Sequence, residues 1–136
     1  MISFIIPAYN EERCLAGTLD ALHAAGKRLG EPYELVVADD ASTDRTAAIA
    51  LEKGAILVSV ANRQIAATRN SGAQRATGEL FIFVDADTIV NELVVRCAVQ
   101  AMRAGAVGGG AGFRFEEPVS PYVRFLLRVF VRRFRT

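Results

Sequence analysis

The sequence predicts an α/β fold built on a doubly wound, mostly parallel sheet. Four short runs rich in Ile, Val, Leu and Phe lie at Ile2–Pro7, Leu35–Ala38, Ala55–Val60 and Leu80–Val84, and none alternates cleanly with polar residues. Continuous apolar strands of this kind are buried on both faces, as in a parallel sheet. Helical patterns separate them, and a β-α-β-α-β-α-β-α order requires right-handed crossovers. Of the 136 residues, 51% are hydrophobic and 23% charged, enough for one core and inconsistent with extended disorder.

Each helix has its own signals. Asn10 is placed to cap the first, with Glu11 and Glu12 in a first turn where negative charge suits the helix dipole. Leu15, Leu19 and Leu22 then recur on one face, and Gly30 followed by Pro32 ends the pattern. Ser42 or Thr43 is expected to cap a second helix that Gly54 closes. A third is read from about Gln64 to Ala76, closed by Gly78, and a fourth from about Asn91 to Ala104, closed by Gly105. A fifth strand is expected over Ala106–Phe115, unusually rich in glycine. Pro118 and Pro121 mark a break before the last segment.

Charge and cysteine content bound the function. Sixteen basic side chains against fifteen acidic ones give a net charge of +1, which supports no whole-domain attraction to nucleic acid. Cys14 and Cys97 have no metal or redox spacing and read as free thiols of a reducing, cytoplasmic compartment, each packed as a small buried apolar group. Met1 leads directly into a run that Pro7 ends, which is not the pattern of a signal peptide. No apolar stretch approaches the ~18 residues that suggest a membrane span. His23 reads as a surface histidine and Met102 as core.

In an open α/β sheet ligands bind beyond the carboxyl ends of the strands, so the chemistry is sought there. The first run ends in Pro7-Ala8-Tyr9-Asn10-Glu11-Glu12, the second in Asp39-Asp40-Ala41-Ser42-Thr43-Asp44, the fourth in Asp85-Ala86-Asp87. Asp39, Asp40, Asp85 and Asp87 crowded on one rim would repel one another unless a cation were held there. Asp-x-Asp directly after a buried strand suits Mg2+ or Mn2+, which take one or two carboxylates plus substrate phosphates. The small Ala86 lets its two neighbours splay toward one point. The alternative for this tripeptide is an ordinary turn. Of Asp39 and Asp40, one is expected to cap or pair and the other to accept from a base N–H or a ribose hydroxyl.

Four motifs in order over Ile2–Thr88 resemble family 2 glycosyltransferases. Ser3-Phe4-Ile5-Ile6-Pro7-Ala8-Tyr9-Asn10-Glu11-Glu12 is similar to their opening strand and turn. Val36-Val37-Ala38-Asp39-Asp40-Ala41-Ser42-Thr43-Asp44 is similar to their second-strand signature, with Ala41 where glycine is usual. Ala67-Thr68-Arg69-Asn70-Ser71-Gly72 followed by Ala76-Thr77-Gly78-Glu79 resembles the third-helix signature, and Phe83-Val84-Asp85-Ala86-Asp87 the metal motif. The resemblance implies a Rossmann-like GT-A three-layer sandwich that binds a nucleotide-diphosphate sugar, UDP- or GDP-linked. By that resemblance Pro7, Ala8, Tyr9 and Glu11 line the base and ribose pocket, with Asp40 reading the base and Asp39 beside it. Asp85 touches ribose and metal, and Asp87 holds the metal (Mn2+ or Mg2+) against the diphosphate. Arg69 is placed either near the nucleotide or in a pair with a nearby carboxylate. The family also implies inversion and, in many members, a lipid-linked acceptor such as a polyprenyl phosphate.

The resemblance places a nucleotide-sugar-binding domain at residues 1–117 and a basic amphipathic helix at 118–136. Family members continue into a second half that binds acceptor and supplies the general base. No acidic residue follows Glu117, so the chain is expected to be a truncated piece or half of a split enzyme, with Glu116 and Glu117 poor candidates for the base. Arg124, Arg128 and Arg132 fall on one stripe beside Phe125, Leu126, Val129, Phe130 and Phe134. Residues 121–135 therefore suit either the cytoplasmic face of an anionic membrane or a missing second half. In isolation such a surface also favours homo-oligomers.

Other functions fit less well. A dinucleotide-binding oxidoreductase needs Gly-x-Gly-x-x-Gly after the first strand, where Pro7-Ala8-Tyr9-Asn10 stands. A phospho-acceptor receiver uses a lysine on its last strand, and the only lysines here are Lys27 and Lys53. A sugar nucleotidyltransferase wants a glycine-rich, basic loop after strand one. The remaining rival is a catalytically inactive nucleotide-sugar-binding or interaction module.

Overall fold

A computed structural model of the chain describes residues 1–111. The order is β1 (Ile2–Ala8), α1 (Leu15–Leu29), β2 (Tyr33–Asp40), α2 (Thr46–Glu52), β3 (Ile56–Val60), α3 (Ile65–Arg75), β4 (Leu80–Phe83) and α4 (Glu92–Arg103). The strands form one parallel sheet in the order β3-β2-β1-β4. The expected α/β class and element order are those observed. The expected fifth strand is not: residues 106–111 carry no strand and are exposed, and 112–115 lie outside the described residues. So do the 117/118 domain boundary, Glu116, Glu117 and the basic segment 121–135.

The central strands carry the core. Every residue of β1 is buried, as is β2 from Leu35 onward. Phe4, Ile6 and Ala8 of β1, with Leu35 and Val37 of β2, face one side. There they pack with Leu15, Leu19, Leu22 and Ala25 of α1 and Val95 and Val99 of α4. Leu15, Leu19 and Leu22 are completely buried, as their spacing required. The opposite side of the sheet meets α3. A methyl at Gly72 would lie 2.8 Å from Ile5 Cγ2 and 3.4 Å from the Ala38 Cβ, so α3 sits this close only because position 72 has no side chain.

The outer strands depart from the expectation of burial on both faces. β3 is only partly buried, and β4 alternates, with Phe81 42% and Phe83 48% exposed. Both are edge strands of the described sheet, so each has a neighbour on one side only.

The helix starts are also corrected. Asn10 does not cap α1. Its φ of +53° turns its side chain toward the next loop, where it accepts from Thr43 N–H (2.8 Å). α1 begins after Cys14, which has no side-chain capping bond, and the Glu11 carbonyl accepts from the Cys14 and Leu15 amides. Neither Ser42 nor Thr43 caps α2. The N-cap position is Arg45, which makes no side-chain capping bond, and Asp44 just before it braces the start of the helix, its Oδ1 accepting from Thr46 N–H (2.9 Å) and Thr46 Oγ1–H (2.5 Å). α4 starts where expected, and Asn91 caps it, its side chain accepting from Leu93 N–H at 2.8 Å. Gly30, Gly54 and Gly105 close α1, α2 and α4 with φ of +70°, +75° and +101°. Gly78 does not close α3, which ends at Arg75.

Cys14 and Cys97 are exposed rather than buried. Cys14 precedes the first buried turn of α1, and Cys97 lies on α4 between Val95 and Val99, the residues that face the core. His23 is not a free surface histidine, since Nδ1 pairs with Tyr33 Oη (2.9 Å) and Nε2 with the Lys53 carbonyl (2.8 Å), tying α1 to β2 and to the end of α2. Met102, expected in the core, is only half-buried and is not among the residues of the core cluster.

Candidate functional site

Parallel strands place all their carboxyl ends on one rim. β1 is paired with β2 as far as Ala8 but with β4 only as far as Ile5, and Val84 N–H donates the last bond, to the Ile5 carbonyl (3.0 Å). Beyond it β1 and β4 part. The strand order reverses there too, since β2 lies on one side of β1 and β4 on the other, and that is where α/β sheets open a ligand crevice.

The β4 side of this crevice carries Asp85-Ala86-Asp87. Val84 and Ala86 are buried, and Asp85 and Asp87 are exposed. The Ala86 carbonyl accepts from the buried Thr18 hydroxyl (2.7 Å), and the Asp85 carbonyl from Thr88 N–H (3.0 Å), so the turn is fixed. Asp85 Oδ1 pairs with Arg69 Nη2 of α3 at 2.5 Å. Of the two positions open for Arg69, the carboxylate pair is the one formed. Beside it an open cleft of about 320 Å³ is lined by Ala66, Arg69, Asn70 and Phe83.

Glu11 lies in the loop that follows β1. It is half-buried, and its N–H donates to Thr46 Oγ1 (2.8 Å). Burial raises its carboxyl pKa, and the charges of Asp87 and Asp44 raise it further. Of the four aspartates expected to crowd one rim, only Asp87 acts on Glu11, together with Asp44, which was not among them. Tyr9 is 47% exposed, and the Arg63 guanidinium lies 5.5 Å from its ring centroid. Pro7 and Ala8 are buried strand residues in register with Ala38 and Asp39.

Asp39 and Asp40 divide as strand alternation dictates. Asp40 turns toward α3. Its Oδ1 accepts from Asn62 N–H (2.6 Å) and Arg63 N–H (3.1 Å), and its Oδ2 from the Thr68 hydroxyl (3.0 Å). Burial alone would raise its pKa, but these bonds and the Arg63 charge outweigh it and hold the carboxyl below its ordinary range. Asp40 is therefore the one that pairs, although Oδ2 keeps acceptor capacity. Asp39 is buried, and its Oδ1 has no partner among the described residues.

Among the described residues no three His, Cys, Asp or Glu side chains gather into a group able to hold a metal alone. Asp85 and Asp87, open on either side of a buried residue, fit a Mg2+ or Mn2+ ion that takes its other oxygens from phosphate and water. Sequence reasoning missed Arg63, Asn62 and Thr68. The segment after β3 carries no acidic cluster, and the only signal there was an Asn-Arg pair at a strand end.

The sheet, its two helical layers and the parted rim define a GT-A type α/β domain. Residues 3–133 match the glycosyl transferase family 2 model, and the chain belongs to that family. The undecaprenyl-phosphate 4-deoxy-4-formamido-L-arabinose transferase of Pectobacterium carotovorum subsp. carotovorum is 33% identical over 93 residues, 63% of this chain and 28% of that protein. The enzyme of the same name from Pseudomonas aeruginosa PAO1 is 36% identical over 94 residues, 64% and 28%. The chain thus spans little more than a quarter of these relatives. Among solved structures, S. aureus TarS has a TM-score of 0.64 at 26% identity, covering 85% of this chain and 40% of that one. Glucosyl-3-phosphoglycerate synthase from Mycobacterium tuberculosis, in complex with Mn2+, UDP and glucosyl-3-phosphoglycerate, has a TM-score of 0.60 at 27% identity, covering 75% and 39%.

Proposed function

We propose that this chain is the donor-binding part of a metal-dependent glycosyltransferase. It takes a sugar from a UDP- or GDP-linked donor and passes it, with inversion, to an acceptor. One observation carries the reading: Asp85 and Asp87 stand exposed about a buried Ala86 at the rim where β1 and β4 part. Asp85 and Asp87 hold the cation, and Asp85 also meets the ribose. The cation, when bound, neutralises charge gathering on the leaving diphosphate. Tyr9 packs on the base beside Asp40 and Asp39, and Pro7, Ala8 and Glu11 shape the pocket around base and ribose. Arg69 keeps Asp85 oriented when no cation is present and lies within reach of the nucleotide.

The names of the relatives support a polyprenyl phosphate as acceptor. With such an acceptor the protein works at the cytoplasmic face of a membrane, residues 1–117 binding the donor and 118–136 lying at the surface. No helix among the described residues is long and apolar enough to cross a membrane.

Calorimetry with UDP and GDP, with and without Mn2+, tests the proposal. Binding should require the cation, and Asp87→Ala should abolish the cation-dependent part. Cation-dependent binding that survives Asp87→Ala refutes the metal assignment. Release of UDP from a UDP-sugar separates a working enzyme from an inactive binding module.

A further inference from the structure

The Asp85-Ala86-Asp87 turn leaves the sheet early. β4 is paired with β1 only as far as Phe83, and after the Val84 N–H bond to Ile5 no strand supports the chain. Residues 85–88 are held within themselves by Thr88 N–H, which donates to the Asp85 carbonyl (3.0 Å). That bond closes the turn but does not fix where it points. The Thr18 hydroxyl of α1 donates to the Ala86 carbonyl at 2.7 Å. Among the described residues it is the one hydrogen bond that joins the main chain of 85–88 to another element. Thr18 stands out on its helix face. Leu15, Leu19 and Leu22 beside it are apolar, and Thr18 is as fully buried as they are. A helical threonine can return its hydroxyl to the carbonyl four residues back. That acceptor, the Cys14 carbonyl, lies 3.4 Å away, so the hydroxyl is committed to Ala86. Position 17 is glycine, and a methyl there would touch Ile89 Cδ1 at 3.4 Å. α1 thus lies against this turn and the residues after it at two successive positions.

We propose that Thr18 is a positioning residue for the cation, and that it sets the pose of Asp87 through the Ala86 carbonyl. This rests on the donor-binding reading and adds to it a group that touches neither cation nor nucleotide. The Ala86 carbonyl and the Asp87 N–H belong to one planar peptide unit. Anchoring the oxygen in the interior fixes that plane. The plane in turn fixes the Asp87 Cα and the axis about which its side chain swings. Asp85, on the other side of Ala86, has its own tie to Arg69. Among the described residues the Asp87 carboxylate has no hydrogen bond outside the turn, and meets only Thr88 Oγ1 (3.5 Å). Its place therefore depends on the peptide that Thr18 holds. Removing a partner that orients a metal ligand costs about 10–100-fold in metal affinity.

The test is Mn2+ titration by calorimetry on the full chain, with UDP or GDP present, for wild type, Thr18→Val, Thr18→Ala and Thr18→Ser. Thermal melts report whether each variant folds. Valine keeps the volume of threonine and removes the hydroxyl. Serine keeps the hydroxyl and removes a buried methyl. Both should lower Tm. Only valine should weaken Mn2+ binding, by about tenfold, while serine stays within about twofold of wild type. A role in stability alone would make the two alike at the cation. Mn2+ affinity unchanged in Thr18→Val overturns the proposal, and so does equal weakening by valine and serine. If the valine variant does not fold, alanine against serine carries the comparison. Those two differ by the hydroxyl alone, and alanine should bind Mn2+ about tenfold more weakly. If neither hydroxyl-free variant folds, the bond is structural and the proposal is overturned. If wild type takes up no Mn2+ with either nucleotide, the donor-binding reading fails and this inference with it. Mn2+ uptake that ignores the Thr18 hydroxyl overturns this inference alone.

Discussion

Replacing Ala41 with glycine should stabilise the protein. Ala41 follows β2 and turns the chain toward α2 with φ at +56°, where a Cβ crowds the neighbouring carbonyl. A left-handed residue with a side chain costs about 1–2 kcal/mol. Glycine removes that cost but gives the unfolded chain more freedom, which returns about 0.5–1 kcal/mol. The net gain is about 0.5–1 kcal/mol, or roughly 2–6 °C in Tm for a domain of this size. The turn is held from both sides independently of residue 41: Asn10 N–H donates to Ser42 Oγ (2.9 Å) and Thr43 N–H to Asn10 Oδ1 (2.8 Å). Glycine therefore inherits a fixed conformation. The assay is urea and thermal unfolding followed by far-UV circular dichroism, with Ala41→Val as the opposite arm. Valine, branched at Cβ, should lower stability by about 1 kcal/mol or more. The expected order is glycine above alanine above valine. A glycine variant no more stable than wild type refutes the claim that this turn is strained.

Gly78→Ala should act in the other direction. Its Cβ would lie 2.5 Å from Ser3 Oγ, 2.8 Å from Ser3 N and 2.9 Å from the Met1 carbonyl. Two of these are backbone atoms that cannot step aside, so a loss of about 2–3 kcal/mol in urea unfolding is expected. Acid should also destabilise the fold. Hydrogen bonds hold Glu34, Asp40 and Asp44 below their ordinary values of 4.5, 3.8 and 3.8, against burial that would raise them. The unfolded chain then takes up protons before the native state does, so the stability these groups contribute above pH 4.5 declines below it and is gone once pH passes their native pKa values. Glu11, with its pKa raised, has the opposite sign and gains stability on protonation. Urea midpoints between pH 7 and 3 should fall toward acid, and the Glu34→Gln variant should show a shallower fall.

The element order and the α1 core face were legible because they follow from local pattern. Leu15, Leu19 and Leu22 have no other use than one buried helix face. The burial of β3 and β4 was not legible, because an apolar run looks the same at the centre of a sheet and at its edge, and only strand order tells Phe4 from Phe83. Helix starts were misplaced for a related reason. Asn10, Ser42, Thr43 and Asp44 are all good capping types, and which one caps depends on contacts between two loops 30 residues apart. The Asp-x-Asp tripeptide was legible as a feature of the strand end, but the burial of Ala86 between two exposed aspartates is set by the turn beyond β4, which no strand periodicity describes. Arg63 was not legible, because what marks it is a contact across the sheet.

The same contacts explain how a short motif can specify so much of this rim. After each of β1, β2 and β3 stands one non-glycine residue with positive φ: Asn10, Ala41 and Arg63. Each such turn needs outside support, and the motif residues supply it to one another. Asn10 and Ser42 join the first two loops, Asp44 holds both the start of α2 and the Glu12 amide, and Asp40 holds the third loop. Asn10, Ser42 and Asp44 are occupied with scaffold, while Asp40 keeps acceptor capacity on Oδ2. Tyr9 and Glu11 follow β1, and Asp85 and Asp87 follow β4, the two strands that part at this rim. Substituting a scaffold residue such as Asp44 should therefore lower stability and binding together, whereas Asp87 should lower binding alone.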